Sequence, residues 1–201
     1  MEANKIIITG AATRIGAAIA KKLSGPGIEI VIHYNNSKKN AEKLQKELSK
    51  NKTKVFLVKG DLAKEQDLKK IIKFSKNTRG KNNNIINIID QRVFKLTPFF
   101  FSYTLSKTGL YTLTKTSAME LAPNVRVNGI APGPTIKNKR QTDNHFKKQY
   151  LATPLKRQVN VKDICSAVDF FIKNSSITGQ VIAIDSGQSL NWQTPDVIGK
   201  E

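Results

Sequence analysis

The sequence predicts an α/β fold in which a parallel sheet is covered on both faces by helices, within one domain spanning residues 1–201. Three observations predict it. Apolar runs of strand length are nearly continuous rather than alternating, as expected of strands buried on both faces. Segments of helical period separate them, and turn residues mark the joins. With 201 residues and 39% apolar content, the chain is long enough for a sizeable core.

The first strand is read at 5–9, where Ile6-Ile-Ile8 is uninterrupted, followed by a helix at 14–23. A strand at 28–33, a helix at 37–48, a strand at 54–58 and a helix at 64–74 repeat the unit. The second half continues with a strand at 84–89, a helix at 102–121, a strand at 125–130, a polar loop over about 132–160, a helix at 161–172 and a last strand at 180–184. No repeat or low-complexity tract interrupts the order.

Composition narrows the function classes. A single Cys165 excludes an internal disulfide. The apolar runs are far too short to cross a bilayer, and Met1-Glu-Ala-Asn-Lys leads into a strand with no signal-peptide pattern, so a soluble cytoplasmic protein is expected. No metal site is expected. The formal charge of +19 invites a nucleic-acid reading, but the lysines are spread along the chain within reach of Glu42, Glu47, Glu65 and Asp67, as on solvated helix faces. Neither a nucleic acid nor a membrane is expected as a partner. The excess charge should still attract small anions.

Chemistry enters at Thr9-Gly-Ala-Ala-Thr-Arg-Ile-Gly16, a glycine turn between the first strand and first helix. Such a turn lets backbone approach a pyrophosphate, which the helix N-terminus favours electrostatically. Gly10, Arg14, Ile15 and Gly16 are the cofactor candidates there. About twenty residues on, an acid would hold the ribose 2′-hydroxyl of NAD. That place reads His33-Tyr34-Asn35-Asn36-Ser37, with no carboxylate to repel a 2′-phosphate, so NADP(H) is expected, with Arg14, Ser37 and Lys38 supplying charge or donors.

A second constellation lies in the other half. Asp90 leaves a strand end, and Tyr103 and Lys107 are four apart on one helix face. Reduction of a C=N or C=O bond needs a proton donor, and a cation beside a tyrosine favours the phenolate and lowers its pKa. Tyr103 is the expected acid, Lys107 its activator, and Asp90 the group that orients the tyrosine hydroxyl, a water or a ring nitrogen of the substrate.

Together these residues resemble the short-chain dehydrogenase/reductase family. The resemblance is carried by Thr9-Gly-x-x-x-Arg-x-Gly16, Gly60-Asp61-Leu62, Tyr103-x-x-x-Lys107, Pro132-Gly133-Pro134-Thr135 and Ile177-Thr-Gly-Gln-Val181. Arg14 in place of a middle glycine and Asp90 in place of a serine make it most similar to the pteridine reductase branch. This implies a Rossmann-like doubly wound parallel sheet and an NADPH-dependent reductase acting on a pterin or related compound, typically as a homotetramer, with a homodimer as the other expectation. It also implies that Asp61 and Leu62 contact the adenine, that Pro132, Gly133 and Thr135 lie over the nicotinamide, that Lys107 and Tyr103 also touch the cofactor, and that 132–160 holds the substrate loop. Phe99-Phe-Phe101 is open between a substrate pocket and a subunit interface.

The chain departs from the family in one place. Between the third helix and the Asp90 strand, residues 74–84 leave no room for the strand and crossover helix the family has there, a unit of roughly 30 residues or more. Three readings follow: a segment omitted from the chain, a decayed inactive copy, or a short nucleotide-binding form. If the first holds, the Cα–Cα spacing should break within 74–84, where a trans peptide requires about 3.8 Å.

Overall fold

The structure is a computed structural model in which residues 4–73 and 83–192 are described. The expected join, and with it the expected break in Cα spacing, falls largely at 74–82, outside the described residues. The chain divides into two compact units, Met1–Asn83 and Asn84–Glu201.

The first unit runs β1 (Asn4–Ile8), α1 (Arg14–Leu23), β2 (Ile28–Tyr34), α2 (Lys38–Ser49), β3 (Lys54–Lys59) and α3 (Glu65–Lys73). Its sheet has the order β1-β2-β3, all parallel, with Ile8 opposite Ile32 and Ile32 opposite Leu57. Strand β2 lies between two neighbours, and Ile30, Val31 and Ile32 are fully buried. Val31 packs with Val58 and Ile71, flanked by Ile7 and Phe56. All four acids expected to neutralise lysines are paired: Glu47 with Lys21, Glu42 with Lys38, Glu65 with Lys69 and Asp67 with Lys70.

The second unit contains β4 (Asn83–Ile88), α4 (Phe101–Glu120), β5 (Val125–Pro132), α5 (Asp143–Leu151), α6 (Val161–Lys173) and β6 (Val181–Ile184). Its strands are ordered β4-β5-β6, with β5 and β6 parallel. The alternation and the parallel pairing are those expected, with three strands in each unit.

Asn128 of β5 is fully buried yet satisfied: its Nδ2 donates to the Ile177 carbonyl at 2.8 Å and its Oδ1 accepts from Gln180 N at 3.0 Å. A buried amide so paired costs little and fixes the approach to β6. The 132–160 segment is not all loop, because it holds α5. Thr142 caps that helix by accepting from His145 N at 3.1 Å, while Phe146 is buried and meets Tyr150 edge-on at 5.5 Å. A cap and an i,i+4 aromatic pair suffice where apolar residues are otherwise sparse. Among the described residues no helix is long and apolar enough to cross a membrane.

Candidate active site

The glycine turn forms as expected between β1 and α1. Gly10 has φ of 63°, the left-handed region that favours glycine. A Cβ on Gly16 would meet the Gly10 carbonyl oxygen at 2.6 Å, so only glycine lets the first turn of α1 sit this close to the loop. Thr13, the residue before α1, makes no side-chain cap, which leaves the helix start to a ligand's oxygens. Arg14 is exposed with φ of 55° and Ile15 is half-buried. The turn therefore fits a pyrophosphate.

The His33–Ser37 segment divides in two. His33 and Tyr34 are buried, and the His33 ring is spent on backbone. Its Nδ1 accepts from Gly10 N at 3.1 Å, and its Nε2 lies 3.1 Å from the Gly60 carbonyl oxygen. A ring that accepts at Nδ1 must carry its proton on Nε2, so His33 donates to Gly60 and ties the glycine turn to the end of β3. Its side chain supports the turn from inside and does not face a ligand. Asn35 is exposed and Ser37 half-buried, without a side-chain capping bond, so these two are free to face a phosphate.

Beyond β3, Asp61 Oδ1 accepts from Ala63 N at 3.0 Å, and Leu62 is exposed. In the second unit the Pro132–Thr135 loop is clamped. Gly133 N donates to the Ile184 carbonyl at 3.0 Å, Val159 N donates to Pro134 O, and Gln158 Nε2 donates to Thr135 O at 2.6 Å. Thr135 is itself buried, its hydroxyl turned back to Gly133 O.

The trio is brought together in the second unit. Asp90 follows β4 and opens a short 3-10 turn, Gln91–Val93, accepting from Arg92 N at 2.9 Å through Oδ1. Its Oδ2 accepts from the Tyr103 hydroxyl at 2.8 Å. Lys107 Nζ donates to the Ile88 carbonyl at 2.9 Å and stands 5.8 Å from the Tyr103 ring centre.

The electrostatics differ from expectation. Although Tyr103 as a residue is open to solvent, desolvation of its hydroxyl first, and then the Asp90 carboxylate, push the phenol above the ordinary tyrosine range, with Arg92 opposing. Lys107 was expected to lower it, but its ammonium is directed at a backbone carbonyl. Burial lowers the Lys107 pKa, while Asp90 acts in the opposite sense. Tyr103 is thus a firmly protonated donor held by a carboxylate.

Sequence reasoning missed two neighbours. Arg92 Nη1 donates to Thr97 Oγ1 at 2.7 Å, and its guanidinium lies 5.2 Å from the Phe100 ring centre. Gln91 is buried, and its Oε1 has no hydrogen-bond partner among the described residues. Nearness to Asp90 was the available signal for both.

Comparisons with known proteins give the chain's relatives. A family profile described as short chain dehydrogenase matches residues 4–82, and one described as enoyl-(acyl carrier protein) reductase matches 75–189. The chain is 26% identical over 236 residues to a 3-oxoacyl-[acyl-carrier-protein] reductase of Staphylococcus epidermidis, covering 90% of this chain and 97% of that one. That span exceeds the 201 residues present, so the chain lacks a segment its relative has, and the two profile matches meet at 75–82. A dihydromonapterin reductase of Citrobacter koseri is 32% identical over 108 residues, 53% of this chain and 45% of that one. The fold is similar to a crystal structure of an alternative dihydrofolate reductase 1 from Brucella canis complexed with NADP. The TM-score is 0.91 at 34% identity, covering 98% of this chain and 99% of that one.

Proposed function

The chain belongs to the short-chain dehydrogenase/reductase family, and from that premise we propose that it is an NADPH-dependent reductase of a C=N or C=O bond in a pterin-type substrate. The observation that carries this reading is the Tyr103 hydroxyl donating to Asp90, with Lys107 one helical turn on. The similarity to a dihydromonapterin reductase and to an NADP-bound alternative dihydrofolate reductase supports the substrate class and cofactor.

NADPH, when bound, supplies the hydride. Gly10, Arg14, Ile15 and Gly16 would hold its pyrophosphate, Asn35 and Ser37 its 2′-phosphate, Asp61 and Leu62 its adenine, and Pro132, Gly133 and Thr135 its carboxamide. His33 braces the turn and Tyr34 lies buried beside it. Tyr103 keeps its proton at neutral pH and gives it up once the substrate atom beside it becomes more basic. Asp90 aims the hydroxyl, and Lys107, fixed on Ile88 O, carries the positive charge that offsets the phenolate formed.

Exposed Leu105, Leu113 and Met119 on α4 support assembly as a homotetramer or homodimer. A second reading, a nucleotide-binding relic without turnover, is favoured by the missing segment, since about 1 Å of misplacement can cost 100-fold in rate. Oxidation of NADPH with dihydrobiopterin, dihydrofolate and simple quinones separates the two. Turnover with a dihydropterin is expected, and NADPH binding without turnover on any of them would leave the relic.

A further inference from the structure

Phe100 is the residue before α4 and occupies the left-handed region, φ 62° and ψ 44°. For a bulky aromatic that conformation is a true outlier, and glycine would occupy it without strain. Core packing does not account for it, because the residue is 66% exposed. Strain of this kind collects where a ligand is held.

One face of Phe100 is occupied. The Arg92 guanidinium lies over the ring at 5.2 Å and is pinned by Nη1 on Thr97 Oγ1. Thr97 in turn donates to the Phe99 carbonyl at 3.3 Å, steadying the strained backbone. Among the described residues Thr97 alone accepts from the guanidinium, so the rest of its N–H fork remains for another acceptor. Arg92 is also tied to the proton donor, because Asp90 takes the Arg92 backbone N–H on one carboxylate oxygen and the Tyr103 hydroxyl on the other.

We propose that Arg92 and Phe100 form a substrate platform anchored through Asp90 to the Tyr103 donor, and that it takes a planar heteroaromatic ring bearing carbonyl or ring-nitrogen acceptors. The exposed aromatic surface stacks on the ring, and the guanidinium fork donates to its edge. This deepens the proposed reductase reading and rests on it. It also assigns Phe100 to substrate rather than to a subunit contact.

The test is equilibrium binding of pterin itself to the full chain with NADP⁺ present, which needs no turnover and so fails separately from the reductase reading. Stacking of one base on an aromatic side chain is worth enough that Phe100→Leu should weaken pterin binding by about tenfold or more. Phe100→Trp should restore it to within about threefold, since it keeps a stacking face. Arg92→Met should weaken binding as well, and the particle mass in solution should be unchanged in all three. Phe100→Gly, which relieves the backbone strain, should fold normally and bind as weakly as the leucine variant. Wild-type affinity in Phe100→Leu, a changed assembly mass with pterin affinity intact, or no pterin binding by the wild type would each overturn the proposal.

Discussion

The Tyr103 hydroxyl donates to Asp90 Oδ2 at 2.8 Å although the two residues are thirteen apart in sequence. The bond aims the Tyr103 hydroxyl, which the proposed reading makes the proton donor. Tyr103→Phe removes that proton and little else, so turnover should fall by about 10²- to 10⁴-fold with NADPH affinity nearly unchanged. Single-turnover kinetics beside a binding titration check it, and retained turnover would remove Tyr103 from the role.

The same bond makes a titration prediction. The Asp90 charge adds to burial in raising the Tyr103 pKa, so Asp90→Asn should bring phenol ionisation to lower pH. The ultraviolet alkaline titration of the wild type less that of Tyr103→Phe isolates this phenol, and its transition should move earlier when the same difference is taken in an Asp90→Asn background. A transition that stays in place would mean burial alone sets it.

Stability should follow the same sign. A raised pKa means the unfolded chain loses its proton first, so the contribution is fully present below the ordinary tyrosine value of about 10 and is lost as pH rises toward the folded value. Denaturation midpoints of the wild type should therefore fall more steeply above about pH 10 than those of Tyr103→Phe. Comparing the two chains cancels the opposing contribution of Lys107, which both retain.

His33 joins Gly10 to Gly60. Replacing it with leucine leaves the buried Gly60 carbonyl without its donor, a loss of about 1–3 kcal/mol, and frees the glycine turn. Chemical denaturation should show the loss, and NADPH affinity should fall with it. His33→Asn, which can still accept from Gly10, should recover part of both. Equal affinities in all three proteins would mean that the turn needs no brace.

Asn35 to Ser37 offer no carboxylate to a 2′-phosphate. NADPH should therefore raise the thermal midpoint more than NADH at equal concentration. Equal shifts would show that Arg14, Asn35 and Ser37 do not read the phosphate.

Local conformation was legible where burial is periodic. Helix α1 begins at Arg14 and ends at Leu23 as the sequence predicts, because a glycine turn precedes it and one apolar face runs through it. The strand runs of β1 to β5 were placed because continuous apolar residues have no other way to leave water. The spacing of Asp90, Tyr103 and Lys107 marked the candidate site, since a strand end and a helix face are local properties. Tertiary structure alone decided the rest. That His33 turns inward depends on Gly60, 27 residues away, and no local pattern encodes the partner a buried polar group must find. The sign of the Tyr103 shift depends on how deeply the phenol is desolvated and on which charge reaches its hydroxyl. The pairing of Arg92 with Phe100 depends on a left-handed residue that sequence gives no reason to expect of phenylalanine. Sequence determines which groups must be buried or turned; distance and desolvation, which exist only after folding, determine which of them meet and what charge they keep.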